Sequence, residues 1–188
     1  MTRMTMLLGS DIAALIQADT RRWAALAHVE ALGLPEGSIG AGFVRNLVWD
    51  HLHGRVSDCR DEDVDVLFYD PTRRERAYET DLEDRLRAAA PDLAWSVRNQ
   101  ARMHERNNDR PYRSVEDAMR FWTETATAVA VSRAGATCTL SAPFGLDDLT
   151  GLILRPTSLR EDKRAAFHDR IASKHWLKRW PRLTVHPR

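Results

Sequence analysis

Two neighbouring phrases restrict this chain more than anything else in it: GAGFVRNLVW, Gly40 to Trp49, and DVDVLFYD, Asp63 to Asp70. In the second, carboxylates alternate with valines. On a strand that period puts Asp63 and Asp65 on one face and Val64 and Val66 on the other. The valine face must be buried, so the acidic face stays uncovered and the register is fixed. A competing spacing, Asp61-x-Asp63, is set aside because Asp61 belongs to a polar loop. In the first phrase, Gly40 and Gly42 stand at the mouth of an apolar helix with Arg45 one turn inside. Glycines let a bulky anion approach the backbone, and the helix's unpaired N–H groups and positive dipole end attract it. Two hard oxygen ligands on one face suit Mg²⁺. The two halves together predict a site for a metal-bound nucleotide.

The remaining sequence is consistent with one domain spanning 1–188: an N-terminal packing helix over 1–36, a catalytic-type core over 37–155 and a basic helical segment over 156–188. A formal charge of +1 gives no general reason to invoke nucleic acid or a membrane surface. From Arg155 onward, however, ten Lys or Arg stand against three Asp or Glu. That segment reads first as a solvated helix face and second as a surface for RNA or a polyphosphate. No apolar run is long enough for a membrane span, and MTRMTMLLGS has too short an apolar core for a secretory signal. A cytoplasmic protein with reduced Cys59 and Cys138 is expected. His51, His53 and Cys59 do not read as a zinc site, since residues two apart on a helix point about 200° apart.

Along the chain, Ser10 is expected to cap one helix running through Ile12, Leu15, Ile16, Trp23, Leu26 and Val29 to Gly33. A short strand SIGAG leads into a helix over Phe43–His53 closed by Gly54. After a polar loop come the strand from Asp63, a helix over Glu75–Ala90 and a strand AWSV. Ser114 with Asp117 resembles a capping box before a short helix. TATAVAVS and TCTLSA flank a glycine-containing turn and read as a hairpin extending the sheet. LDDLTGL predicts a helical turn, Arg160–Lys174 a charged helix, and WLKRWPRL a tail whose Trp176 and Trp180 peg back onto the core, with RNA stacking as their alternative role. This order of elements makes an α+β domain.

The phrases Gly40–Asn46 and Asp63–Asp65 resemble the nucleotidyltransferase superfamily, the fold shared by DNA polymerase beta, poly(A) polymerase and the CCA-adding enzymes. GAGFVRNLVW is similar to the glycine-glycine-x-valine-arginine-aspartate opening of the CCA-adding enzymes. WSVRNQARMH, PYRSVEDAMRFWTETATAVAV, APFGLDDL and RIASKHWLKRWP resemble a group of bacterial nucleotidyltransferase-family proteins. The resemblance implies a nucleotidyltransferase fold, with a mixed sheet flanked by helices and a C-terminal helical tail. It further implies Mg²⁺-dependent transfer of a nucleoside monophosphate from an NTP to an acceptor. Gly40 and Gly42 would form the phosphate-facing turn, Arg45 and Asn46 would lie close to the triphosphate, and Asp63 and Asp65 would hold Mg²⁺.

A third carboxylate on a later strand usually completes such a site and deprotonates the attacking hydroxyl. Here that strand offers Asn99 or Gln100, neither of which is a base. Glu124, His104 and Asp70 become the candidate bases, and Asn99 is expected to orient the triphosphate or the hydroxyl. Asn99 and Arg102 are candidate site-lining residues. Glu124, Thr125 and Thr127, after Trp122, read either as a strand entry or as groups that stack on and hydrogen-bond a base or acceptor. The leading expectation is therefore an enzyme. The alternative is a catalytically impaired nucleotide- or RNA-binding module of the same fold, and an antitoxin-like interaction partner is a third. RNA, protein and small-molecule acceptors all stay open, as do the NTP base and the oligomeric state.

Overall fold

The alternation that begins at Asp63 decides the architecture. In a computed structural model that describes residues 7–186, strand β2 (Asp63–Phe68) fully buries Val64, Val66 and Phe68 on one face. It pairs in parallel with β3 (Ala94–Asn99) and antiparallel with β1 (Ser38–Gly40). Beyond β1 lie β4 (Ala130–Ala134) and β5 (Thr137–Ser141), giving the mixed order β3-β2-β1-β4-β5. Register carries the face across the sheet, because Val66 stands opposite both Val97 and Ile39, and Ile39 opposite Val131. Helices α1 (Gly9–Ala18), α2 (Thr20–Glu30), α3 (Gly42–Leu52) and α4 (Arg76–Ala89) add apolar residues to the core on this side.

The opposite face is covered only in part. Leu67 and Ala130 pack there with Val115 and Met119 of α6 (Val115–Met119), joined by Trp122 and Phe144. Asp63 and Asp65 share this face and lie beyond that small cluster. Helix α5 (Gln100–Asn107) follows β3 directly, and α7 (Asp147–Thr150) precedes a two-stranded parallel sheet of β6 (Ile153–Leu154) and β7 (Thr184–Val185). Between those strands run α8 (Glu161–Lys174) and α9 (Trp176–Arg179). The α+β architecture expected from the sequence is the one observed. Among the described residues, no helix is long and apolar enough to cross a membrane.

Three local expectations change. The single N-terminal helix is two, because the Asp19 side chain accepts from the Arg21 and Arg22 N–H groups and caps a new start. Ser10 lies inside the first turn, and Leu8 holds the cap position. Thr125–Thr127 form a short 3-10 turn and not a strand, since Thr125 N–H donates to the Arg155 carbonyl and Glu124 bridges to Pro156. The Ser114 cap does form, accepting from Asp117 N–H at 2.9 Å.

Candidate active site

Asp63 is exposed and Asp65 half-buried on the open face of β2. Among the described residues, neither carboxylate has an ion pair or a side-chain hydrogen bond. Burial and the Asp63 charge push the Asp65 carboxyl above its usual range, against the pull of Arg170, Arg98 and Arg45.

The start of α3 forms the next wall. Ala41, just before it, has φ +54° and ψ −122°, a backbone region that favours glycine. Its N–H donates to the Val129 carbonyl at 3.0 Å, and no side chain caps the helix. The first-turn N–H groups therefore lack helical acceptors and are available to an anion. The helix start is pinned from behind by the buried Arg22, whose Nε donates to the Phe43 carbonyl at 2.9 Å and whose guanidinium lies 3.7 Å from Glu62.

One turn in, Arg45 is only 5 % exposed. It donates to Asn46 Oδ1 at 2.9 and 3.1 Å and to Thr127 Oγ1 at 2.9 Å. Its guanidinium lies over the rings of Trp176 at 4.5 Å and Trp49 at 5.1 Å. Burial lowers its pKa to about 10, so it stays charged at neutral pH. Among the described residues no carboxylate comes within ion-pair reach of it. A buried cation with neutral partners, facing a cleft, is poised for an anion from outside the protein.

The C-terminal segment supplies the last wall. Arg170 Nε stands 3.0 Å from Glu124 Oε1, and Lys174 follows one turn later. Trp180 Nε1 donates to Asp50 Oδ1 at 2.7 Å, while Arg179 lies 3.5 Å from Asp50 and 3.6 Å from Glu62. Trp176 and Trp180 meet Trp49 edge-on, with centroids 5.8 and 5.0 Å away. The tail is thus pegged onto α3, and the basic face of α8 turns towards the carboxylates.

These walls enclose a cleft of about 620 Å³ that takes in Gly42, Arg45, Asn46, Asp63, Asp65, Arg170 and Lys174. A second cavity of about 410 Å³ also touches Ala41, Asp65 and Arg170, and runs past Glu124 and Thr127 to Phe121 and Trp122. Glu124 is fully buried, and neither of its oxygens has a hydrogen bond. Burial raises its pKa, while Arg170 and Arg45 hold it down.

Of the residues singled out from the sequence, Gly42, Arg45, Asn46, Asp63, Asp65, Gln100, Glu124 and Thr127 line these spaces, whereas Gly40, Asp70, Asn99, Arg102, His104 and Thr125 do not. Gly40 faces packing: a side chain there would meet Leu67 Cδ1 at 2.8 Å and Trp122 Cη2 at 3.2 Å. Arg102 forms a two-pronged pair with Glu79, Nε to Oε1 at 2.7 Å. Thr125 donates to Asp148 Oδ2 at 2.6 Å. Asn99 stands opposite Phe68, whereas Asp65 stands opposite Ser96, so parity turns Asn99 to the core face. Its Oδ1 accepts from Asp70 and Ala101 N–H, and its Nδ2 donates to the Asp70 and Arg73 carbonyls, which uses its hydrogen-bonding capacity. Arg170 and Lys174 line the cleft without any motif pointing to them, while Trp176 lines it as one of the tail's pegs. The excess of basic residues after Arg155 was the available signal.

A nucleotidyltransferase family profile matches residues 27–185 of the chain. A solved NMR structure described as revealing a CCA-adding enzyme head domain superposes with a TM-score of 0.85 at 28% identity, covering 96% of this chain and 97% of that one. A tRNA-processing enzyme in an apo form shares the fold, with a TM-score of 0.54 and 19% identity over 86% of this chain and 44% of its own. No curated protein sequence matches. With most of its length inside that profile, the chain belongs to the nucleotidyltransferase family.

Proposed function

We propose that the protein transfers a nucleoside monophosphate from an NTP to an acceptor hydroxyl, with Mg²⁺ as the cofactor. One observation carries this reading. Unpaired cations, Arg45 and Lys174, and unpaired carboxylates, Asp63 and Asp65, line a single cleft among the described residues. Such a mixture has little use unless the occupant brings both an anion and a cation, as a metal-chelated polyphosphate does.

The residues fit Mg²⁺. Asp63 and Asp65 offer hard oxygens on one face, and Asp63 pushes the Asp65 carboxyl upward, a repulsion that a cation relieves. Among the described residues, no cluster of three ligating side chains forms. When bound, it would supply charge neutralisation at the phosphoryl oxygens.

The chain's own groups do the rest. The α3 N–H groups, Arg45 and Lys174 hold the triphosphate and orient its α-phosphorus, while Arg170 holds Glu124 in place. The acceptor oxygen forms a bond to that phosphorus as the bond to the β-phosphate oxygen breaks, and pyrophosphate leaves with the electron pair. The hydroxyl proton passes to a Glu124 carboxylate oxygen. Of the three candidate bases, Glu124 is the one lining these cavities; Asp70 accepts from Thr72, and His104 packs against Tyr112.

The test is pyrophosphate release across a panel of NTPs and acceptors with Mg²⁺. Release that disappears in Asp63→Asn supports the reading, and unchanged turnover in that variant removes it. A second reading, an NTP- or RNA-binding module without chemistry, is favoured by β3, whose site-facing positions Ala94, Ser96 and Arg98 include no carboxylate. Tight NTP binding with no release for any acceptor would select it. The likeness to a CCA-adding enzyme head domain brings an RNA end forward as one acceptor to include.

A further inference from the structure

The two joined cavities differ in free charge. In the larger, Arg45 and Lys174 have no carboxylate partner among the described residues. In the smaller, each of the three cations is already matched: Arg98 with Glu83 at 2.6 Å, Lys163 with Asp109 at 3.1 Å and Arg170 with Glu124 at 3.0 Å. In the absence of metal, what the smaller cavity leaves without an ion partner among the described residues is Asp65. A phosphate entering it would meet carboxylates with no spare cation to hold it, whereas an uncharged molecule would not.

Its walls suit a flat ring. Phe121 and Trp122 line it with Met103 and Leu67. Trp122 is half-buried, its Cη2 edge seated where Gly40 has no side chain, since a Cβ there would come within 3.2 Å. The missing side chain allows the indole to lie against β1 and keep its remaining surface towards the cavity. Two amides line it. Gln100 Nε2 donates to the Arg98 carbonyl and Asn107 Nδ2 to the Tyr112 hydroxyl, so both keep a side-chain oxygen open to N–H donors.

Resting on the transfer reading above, we propose that the smaller cavity is the acceptor site, and that its acceptor is an uncharged, nucleoside-sized alcohol with a flat N–H-bearing ring, entering without a phosphate group. The ring lies on Trp122, its donors meet Gln100 and Asn107, and its hydroxyl reaches Glu124 beside Asp65. The atoms exchanged are those of the transfer step already written: the acceptor oxygen gains the nucleotidyl group, and its proton goes to Glu124.

The probes are the four ribonucleosides, their 5′-monophosphates and a short single-stranded RNA with a free 3′-hydroxyl, titrated calorimetrically against the full chain without metal or NTP. At least one nucleoside should bind about tenfold or more tighter than its monophosphate. Asn107→Ala, at an exposed position, should weaken it about threefold or more with an unchanged melting temperature. Trp122→Ala should abolish binding and Trp122→Phe restore it. Glu124→Gln should narrow the discrimination against the monophosphate. Failure of all four nucleosides to bind at millimolar concentration, equal or tighter binding of the monophosphate or the RNA, or indifference to Trp122→Ala overturns the proposal. Because these titrations need neither metal nor NTP, their failure is separable from failure of the transfer reading, which the Asp63→Asn assay decides.

Discussion

The motif region, Gly40 to Asp65, and the C-terminal region after Arg155 meet on the same cleft, yet they are built in different ways. The motif region places its groups by local geometry: a strand period for Asp63 and Asp65, and an uncapped helix start for the backbone N–H groups. The C-terminal region places Arg170 and Lys174 only because Trp176 and Trp180 dock on Trp49 and Asp50. The carboxylates, the helix-start N–H groups and Arg45 therefore come from short-range order, whereas Arg170 and Lys174 reach the cleft through long-range packing. The two should fail differently when damaged.

The largest effect is expected on the motif side. Asp63→Asn should cut transfer by about 10³-fold, the several kcal/mol that a lost metal contact represents, read as pyrophosphate release. Its melting temperature should hold or rise, because Asp63 repels the Asp65 carboxylate. A variant that unfolds instead would erase the distinction between the two regions.

The tail should answer the other way round. Trp176→Ala removes a buried ring that covers Arg45 and touches Trp49, and should cost about 3–5 kcal/mol in denaturant unfolding. Loss of transfer without loss of stability would move Trp176 from the packing side to the chemical side.

Arg45 joins the two regions, since it belongs to the motif and lies under a tail ring. Arg45→Met should weaken NTP binding by about 1.5–3 kcal/mol, or roughly 10- to 100-fold. Stability should change by less than binding, because losing a buried cation with no carboxylate in contact among the described residues offsets part of the cost of its lost hydrogen bonds to Asn46 and Thr127.

The smallest effect is a displacement of pH dependence. Glu124 must be ionised to take a proton, so turnover should fall as pH drops through its raised pKa, above the ordinary 4.5. Arg170 draws that pKa down, so Arg170→Met should move the acid limb to higher pH. An unmoved limb would detach Glu124 from proton transfer and leave its pair with Arg170 a structural contact.

Legibility followed the same division. The alternation of Asp63–Val66, the helix after Gly42, the Ser114 cap and the hairpin after Ala130 are recorded within a few residues of themselves, and each appears in the structure. The pattern predicts β3 beside β2 and Asn99 site-facing, but adjacency does not fix parity. Pairing Asp65 with Ser96 turns Asn99 to the opposite face. Arg102 and Thr125 likewise had partners, Glu79 and Asp148, that no local spacing announces.

What the sequence determined by itself was the chemistry on offer: two carboxylates on one strand face, an anion-attracting helix start with Arg45 inside it, and a basic tail. Both period two and helix-start geometry act over a few residues, so composition in that window is enough to specify them. The tertiary structure decided which charges remained free. Arg170 is committed to Glu124 and Arg98 to Glu83, whereas Arg45 is covered by indole rings and has no counter-ion among the described residues. Ion pairing depends on separations of a few ångströms between side chains far apart in the chain, and those distances exist only once strand register and the docking of the tail have been set.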